Sequence, residues 1–274
     1  MRAAMLSVGL LGVFRVPAVD VRVWCELGPS ARGLASFLFT YPDRGHRREK
    51  LAELFWPDFD AERARRALNS AVWRVRKLLA THPEGDGGQN LQTLGNETIL
   101  RNAPWLDIDV WALQNLAAPV LKAATAPLEP QKLAAITAIL HRYEGPFLDG
   151  DEGDWILEER ERLHSMFVRT ATIAVRALGI AGQYHEAISL ARHALRFDPF
   201  REELMRSLLV LLALDEQRCE AIRTYRHWSN LLKSELNIAP LPATRRVIEE
   251  IQTLETAEGF QRLRERLSTP RLSP

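Results

Sequence analysis

Cysteine is nearly absent from this chain of 274 residues, in which Cys25 and Cys219 are the only two. They lie far apart in the sequence, so they offer neither a disulfide framework nor a thiolate metal site of the CxxC kind. Disulfide-free chains are typical of reducing compartments, and we expect a cytoplasmic protein.

Long hydrophobic runs are also missing. The apolar stretch from Met5 to Phe14 contains Ser7, Gly9 and Gly12 and is not followed by a small-residue cleavage site, which favours a buried strand over a signal peptide. No other segment approaches the roughly 20 apolar residues that a membrane span needs. The sequence predicts a soluble protein that does not engage a membrane.

The common catalytic patterns GxxxxGK[ST], GxSxG and HExxH do not occur, and the histidines lack the spacing of metal ligands. The acidic cluster of Asp149, Asp151, Glu152 and Asp154 lacks the spacing of a calcium loop. We interpret Asp154 as the N-cap of a helix and the other three carboxylates as favourable charge at the start of that helix. We therefore expect no enzymatic activity, no metal and no cofactor.

Net charge is only +1, yet the charges are unevenly placed. Between Arg44 and Lys77 there are ten basic residues against five acidic ones, a local charge of +5. A basic segment in an otherwise neutral chain is typical of a DNA-binding module attached to a second domain.

The first part of the sequence has the pattern of strands, three helices and a hairpin. The last two helices are joined by a tight turn, and the hairpin turns at Gly95-Asn96. This order predicts a winged helix-turn-helix. The predicted elements are strands at 6–16 and 19–25, a helix capped by Ser30 that ends near Tyr41-Pro42, helices at 48–55 and 61–80, and a hairpin at 90–101.

From Pro104 onward the pattern is helical, and we expect no strands there. Residues of this half recur after 34 positions, a period that resembles the tetratricopeptide repeat. A non-repeating helical bundle is the alternative. The recurring pairs are Leu178 and Leu212, Gln183 and Gln217, Glu186 and Glu220, Ala187 and Ala221, and Ile188 and Ile222.

The third helix has one apolar stripe, so its opposite face is free to enter a major groove. A solvated basic face is the simpler alternative, but the flanking helix and hairpin favour DNA contact. Residues at the start of the second helix and at the hairpin tip are expected to hold phosphates. The candidate DNA-binding residues are Arg66, Asn69, Ser70, Trp73, Arg74, Arg76 and Lys77 on the third helix, with Arg47, Arg48, Lys50 and Asn96 beside it.

Several stretches together resemble the Streptomyces antibiotic regulatory protein type, in which a response-regulator-like winged helix precedes a bacterial transcriptional activation domain. They are LLGVF at 10–14, REKLAELFWP at 48–57, ARRAL at 64–68, RVRKLL at 74–79, GPFL at 145–148, WILEERERL at 155–163, DP at 198–199 with REEL at 201–204, and IAPLPAT at 238–244.

The resemblance implies a transcriptional activator that binds direct repeats of double-stranded DNA near promoters and contacts RNA polymerase. It places the polymerase-facing surface at residues 56–62, where Asp58, Asp60 and Glu62 are acidic. Direct repeats are compatible with a homodimer. The fold class is therefore mixed and mostly α, an N-terminal α/β winged helix-turn-helix followed by an all-α tetratricopeptide-like domain.

We expect a DNA-binding domain at 1–103, an activation domain at 104–257, and a helix end and tail at 258–274. One alternative is a helical-repeat adaptor that binds a protein or small ligand. Another is a repeat domain whose effector controls DNA binding. The candidate effector-binding residues are Trp155, Arg160, Tyr184, Arg192, Tyr225 and Arg226.

Overall fold

The structure is a computed structural model that describes residues 5–17, 19–123 and 127–268. The chain divides into two compact units. The first comprises Met1–Ala112 and Pro146–Ile156, and the second comprises Leu113–Gly145 and Leu157–Pro274. The chain is mostly helical, with small sheets in the first unit, which confirms the predicted fold class at this level.

Three helices form the core of the first unit. Helix α1 (Val21–Thr40) packs against α3 (Ala61–Leu79), and α2 (Arg48–Phe55) packs against the same helix. The predicted second and third helices are confirmed within one residue at each end. A further short helix, α4 (Gly87–Asn90), lies between α3 and the hairpin. Fully buried side chains of this core are Leu34, Leu38, Phe39, Leu51, Leu68, Val75 and Leu78.

Two small sheets complete the first unit. The three-stranded sheet has the order β2 (His46–Arg47), β4 (Glu97–Leu100) and β3 (Leu91–Leu94), and both pairings are antiparallel. The turn between β3 and β4 passes through Gly95, whose φ of 58° suits glycine. The predicted hairpin is therefore present, and β2 leads directly into α2.

The second sheet joins two segments that are distant in the sequence. Strand β1 (Leu6–Val8) pairs in parallel with β5 (Leu106–Ile108). This register brings Asp109, the residue that follows β5, beside the backbone that follows β1. The Asp109 carboxylate, whose residue is 1% exposed, accepts hydrogen bonds from the N–H of Leu10 at 2.9 Å and of Leu11 at 3.0 Å.

Two strand predictions were wrong. Residues 19–25 were predicted as a strand from their valines, but they belong largely to α1, which Asp20 caps by accepting from the Arg22 N–H at 2.7 Å. Helix α1 bends at Gly28, where φ is 67°, and Pro29 follows in the first turn of the continued helix. Strand β5 lies beyond Pro104, where we expected no strands. Its three residues have little strand signal of their own, and pairing with β1 stabilises them as a strand.

The second unit is helical in the residues that the structure describes. Its core is dominated by α9, which packs against α8, α10, α11 and α12. The helices of this half are α5 (Asp109–Lys122), which begins in the first unit, α6 (Pro130–His141), α7 (Asp154–Ile180), α8 (Tyr184–Leu195), α9 (Glu202–Leu214), α10 (Arg218–Leu236), α11 (Pro242–Gln252) and α12 (Ala257–Ser268).

The turns at the two ends of the 34-residue period have the same hydrogen bonds. At the α7–α8 turn, the Gln183 N–H donates to the Leu178 carbonyl at 2.9 Å. At the α9–α10 turn, the Gln217 N–H donates to the Leu212 carbonyl at 2.8 Å. The repeated sequence therefore forms a repeated turn.

The small residues of the period lie at equivalent buried positions. Ala187 on α8 and Ala221 on α10 are both fully buried, where an alanine lets two helices approach closely. The residues just before the N-caps of α8 and α10 have a left-handed backbone, with φ of 75° at Gly182 and 60° at Glu216. In the described part of the chain, no helix is long and apolar enough to cross a membrane.

Candidate nucleic-acid interface

Helix α3 separates an apolar face from a polar one. Its N-terminus is capped by Asp60, whose carboxylate accepts from the Arg63 N–H at 2.8 Å. The buried stripe holds the helix against α1 and α2, which fixes the opposite face toward solvent. The residues of the stripe are Ala64, Leu68, Ala71, Val72, Val75, Leu78 and Leu79.

The solvent face of α3 presents four of the predicted residues together. Arg66, Asn69, Ser70 and Trp73 are all exposed, and Trp73 is 60% exposed. A large exposed indole beside an arginine, an amide and a hydroxyl is unusual for a merely solvated helix. This set offers donors and acceptors for base edges together with an apolar surface.

Arg48 connects this face to the hairpin. Its guanidinium donates to the Thr98 hydroxyl at 3.0 Å and also to the Asn69 side-chain oxygen. Its backbone N–H donates to the Asn96 carbonyl at the hairpin tip, at 2.9 Å. The start of α2, the middle of α3 and the hairpin are therefore held in one arrangement.

The surroundings of Arg48 are strongly positive. Burial lowers the pKa of its guanidinium, and the charges of Arg76 and Arg65 lower that pKa further. Arg65 was not among the predicted site residues, although it is exposed one helical turn before Asn69. Crowded like charges at the surface are relieved when a phosphate binds among them.

Three other predicted residues of α3 are engaged within the protein. Arg76 donates to the Leu91 carbonyl at 2.9 Å and to the Thr93 hydroxyl at 3.2 Å, so it fastens the hairpin to the helix. Arg74 points toward α1, where its guanidinium lies 3.4 Å from the Leu27 carbonyl oxygen.

Lys77 forms an ion pair with Glu26, and its ammonium lies 5.7 Å from the centre of the Trp73 ring. Lys77 is thus close to the exposed face but already neutralised by a carboxylate. Arg74, Arg76 and Lys77 lie at the margin of the face that carries Arg66 and Asn69.

The remaining candidates flank this face. Arg47 and Lys50, near the start of α2, and Asn96, at the hairpin tip, are all exposed. Backbone N–H groups at the start of a helix favour an anion. We define the α3 face as Arg65, Arg66, Asn69, Ser70 and Trp73, with Arg47, Arg48, Lys50 and Asn96 as its flanks.

The segment at 56–62 is partly structural. Trp56 is buried, Asp60 caps α3, and Glu62 lies 3.5 Å from Arg66 in an exposed ion pair. A groove of about 890 Å³ runs from this segment past α2 to the hairpin tip. Asp58 is exposed beside it.

The six candidate effector residues do not line one cavity. Trp155 belongs to the first unit, where its ring packs against Phe37 at 5.1 Å and Phe147 at 5.9 Å between centroids. In the second unit Arg192 pairs with Glu220 at 3.2 Å.

The other four lie on three helices of the second unit. Arg160 and Tyr184 are half-buried on α7 and α8, and Arg226 is exposed on α10. Burial raises the pKa of the Tyr225 hydroxyl, also on α10. Two cavities of this unit, of about 330 and 490 Å³, are lined by other residues.

Across residues 5–17, 19–123 and 127–268, no group of three or more histidine, cysteine or acidic side chains is arranged to hold a metal ion. Cys25 and Cys219 are both exposed thiols.

This chain is similar to one protein family and to a solved structure. The family model described as bacterial transcriptional activator domain matches residues 108–252, more than half of the chain. Mycobacterium tuberculosis EmbR, solved in complex with a low-affinity phosphopeptide, is similar in structure with a TM-score of 0.65 and 20% sequence identity, over 96% of this chain and 69% of EmbR. No curated protein gave a significant match.

Proposed function

This chain belongs to the bacterial transcriptional activator domain family, which confirms the resemblance seen in the sequence, and we propose that it regulates transcription by binding duplex DNA through its first unit. The single observation that supports this most is the α3 face. It presents an arginine, an asparagine, a serine and an exposed tryptophan on one rigid helix that is braced by a hairpin.

The first unit would act as a winged helix-turn-helix. Helix α3 would enter the major groove, where Arg66 and Asn69 are suited to guanine and adenine. Arg47 and Lys50 would hold phosphates, and the hairpin tip at Asn96 would reach the adjacent backbone or minor groove. Arg48 would set the angle between helix and hairpin, because it contacts both.

The second unit would supply the regulatory part. The repeated turns at Gln183 and Gln217 support a tetratricopeptide-like stack, whose grooves between repeats suit a protein or small effector. We propose that the protein is an activator of the cytoplasm that binds direct repeats as two copies and contacts RNA polymerase through residues 56–62. The exposed Asp58 and the adjoining groove support that surface.

Fluorescence anisotropy of a labelled duplex, taken from the region upstream of its own gene and measured over a salt series, tests the proposal. Arg66→Ala is the informative variant, because Arg66 is exposed and its ion pair with Glu62 is also exposed to solvent. Arg246→Ala, an exposed arginine on α11, is the matched control. We expect the wild type and the control to bind with the same steep salt dependence.

Arg66→Ala should weaken binding about fivefold or more, as loss of a good base contact does. If no duplex binds saturably at any salt concentration, the DNA-binding proposal fails and a helical-repeat adaptor becomes the better explanation. Equal losses in Arg66→Ala and Arg246→Ala would show only non-specific attraction to phosphate.

A further inference from the structure

The first unit contains an open cavity of about 1050 Å³, which is lined in part by the last two residues of α2, Leu54 and Phe55. Its walls come from the segment that follows β1, the start of α1, the end of α2, and the segment at 148–156 that leads into α7, all within the first unit. None of the DNA-binding candidates lines it. The α3 face therefore does not account for this cavity.

The walls are held by backbone hydrogen bonds. The Leu148 N–H donates to the Leu10 carbonyl and the Asp149 N–H donates to the Gly12 carbonyl, both at 3.0 Å. The Asp109 carboxylate anchors Leu10 from the other side. Backbone hydrogen bonds within the first unit therefore fix the shape of this part of the cavity wall.

One side of the cavity is apolar and aromatic. Phe14 and Trp24 meet edge to face at 5.1 Å, and Trp155 also lines the cavity. Two aliphatic side chains at the mouth are unusually exposed, since Val21 is 74% and Leu54 is 44% exposed. Exposed aliphatic groups that border a concave surface mark binding sites more often than scattered ones do.

The rim is acidic. Asp149, Asp151, Glu152 and Asp154 line the cavity, against only two basic residues, Arg15 and Arg32. Within the described residues, no basic side chain forms an ion pair with Asp149, Glu152 or Asp154.

Arg32 contributes little to balancing this charge. The Arg32 guanidinium already lies 4.6 Å above the Trp24 ring and donates to the Trp24 carbonyl at 3.3 Å. The excess negative charge of the rim therefore favours binding of a cation.

We propose that this cavity binds a cationic amphipathic small molecule. Its ammonium or amidinium group would sit among the carboxylates at 149–154, which precede and begin α7, and its apolar body would cover Val21, Leu54 and Trp155. Anionic ligands are disfavoured because they would face the same carboxylates. Charge complementarity together with exposed apolar walls selects this chemistry.

The cavity also touches the DNA-binding machinery. Leu54 and Phe55 end the helix whose first residue is Arg48, and the Phe55 ring lies against Gly33 of α1 so closely that an added Cβ would be 3.3 Å from it. A ligand that packs on Leu54 would bias the position of α2. This coupling rests on the proposed DNA binding, whereas ligand binding itself does not.

Rhodamine 6G is a suitable probe because it is a rigid aromatic cation, and fluorescein supplies an anion with a similar ring system. Titration of the full chain without DNA, followed by dye anisotropy and tryptophan quenching, tests the site. The informative variant is Asp149→Asn/Asp154→Asn. The matched control is Glu255→Gln/Glu258→Gln, two exposed acidic residues of the second unit.

We expect saturable rhodamine 6G binding that weakens about tenfold or more in the cavity variant and is unchanged in the control. Fluorescein should not bind. The inference is overturned if rhodamine 6G fails to saturate, if both dyes bind alike, or if the cavity variant binds like the wild type. Binding of a basic peptide in place of the dye would also overturn the small-molecule assignment.

The same titration on the protein bound to its duplex then measures the coupling. A change in DNA affinity supports control of α2 by the ligand, and an unchanged affinity refutes it. Dye binding by a protein that binds no duplex would leave the cavity assignment intact while the proposed function fails.

Discussion

Replacement of Asp109 should destabilise the first unit more than any exposed substitution. Its carboxylate is buried and accepts from the backbone N–H groups of Leu10 and Leu11, which are themselves buried. In Asp109→Ala both N–H groups lose this acceptor. Each buried donor left without a partner costs about 1–3 kcal/mol, so the free energy of unfolding should fall by about 2–6 kcal/mol. Asp109→Asn keeps one acceptor oxygen and should lose less.

Urea unfolding followed by tryptophan fluorescence measures this loss. Asp58→Ala is the control, because Asp58 is exposed and should change stability by less than about 0.5 kcal/mol. A loss of unfolding free energy in Asp109→Ala below about 1 kcal/mol would refute the argument, since two buried N–H donors without acceptors should destabilise the fold by more than that. Equal losses in Asp109→Ala and Asp58→Ala would refute it as well.

Three further predictions concern separate parts of the chain. Asn69→Ala should reduce affinity for the specific duplex about fivefold to a hundredfold and leave the salt dependence of that affinity unchanged. Lys50→Ala should instead reduce the slope of log affinity against log salt concentration by about 0.9. The opposite pattern in a salt-series titration would contradict these assignments. Burial, and then the charge of His141, lowers the pKa of His193 below its ordinary value of 6.5. The second unit should therefore lose stability as the pH falls below 6.5, because the unfolded chain then binds the proton more readily. His193→Gln should flatten this pH dependence in urea unfolding at several pH values. Leu263→Ala removes a fully buried side chain of α12 and should accelerate hydrogen exchange in α12 while α9 stays protected, unlike the exposed control Gln261→Ala.

The elements predicted well are those with strong local signals. Helix α2 begins and ends as expected because Trp56-Pro57 terminates it, and α3 follows from the spacing of its apolar residues. The hairpin follows from Gly95-Asn96, a common turn pair in which Gly95 takes the left-handed conformation. The 34-residue period likewise predicted where the second-unit turns repeat.

The elements predicted wrongly lack such signals. Three valines near residue 20 favour a strand by propensity, yet Asp20 caps a helix there. Trp24 of that helix packs on Phe14, a contact that no local sequence pattern predicts. Propensity yields to tertiary packing in such short segments. Strand β5 has only three residues and exists because β1 pairs with it.

The sequence by itself determined the class of this protein: the local charge, the periodic α3, the turn at Gly95-Asn96 and the 34-residue repeat are all short-range patterns. Only the tertiary structure decided how the side chains are used. Arg74 and Arg76 are directed to the protein's own backbone, and Arg48 links helix to hairpin. The segment at 148–156 joins the first unit and lines an acidic cavity there. These outcomes depend on contacts between residues far apart in the chain, which no local periodicity encodes.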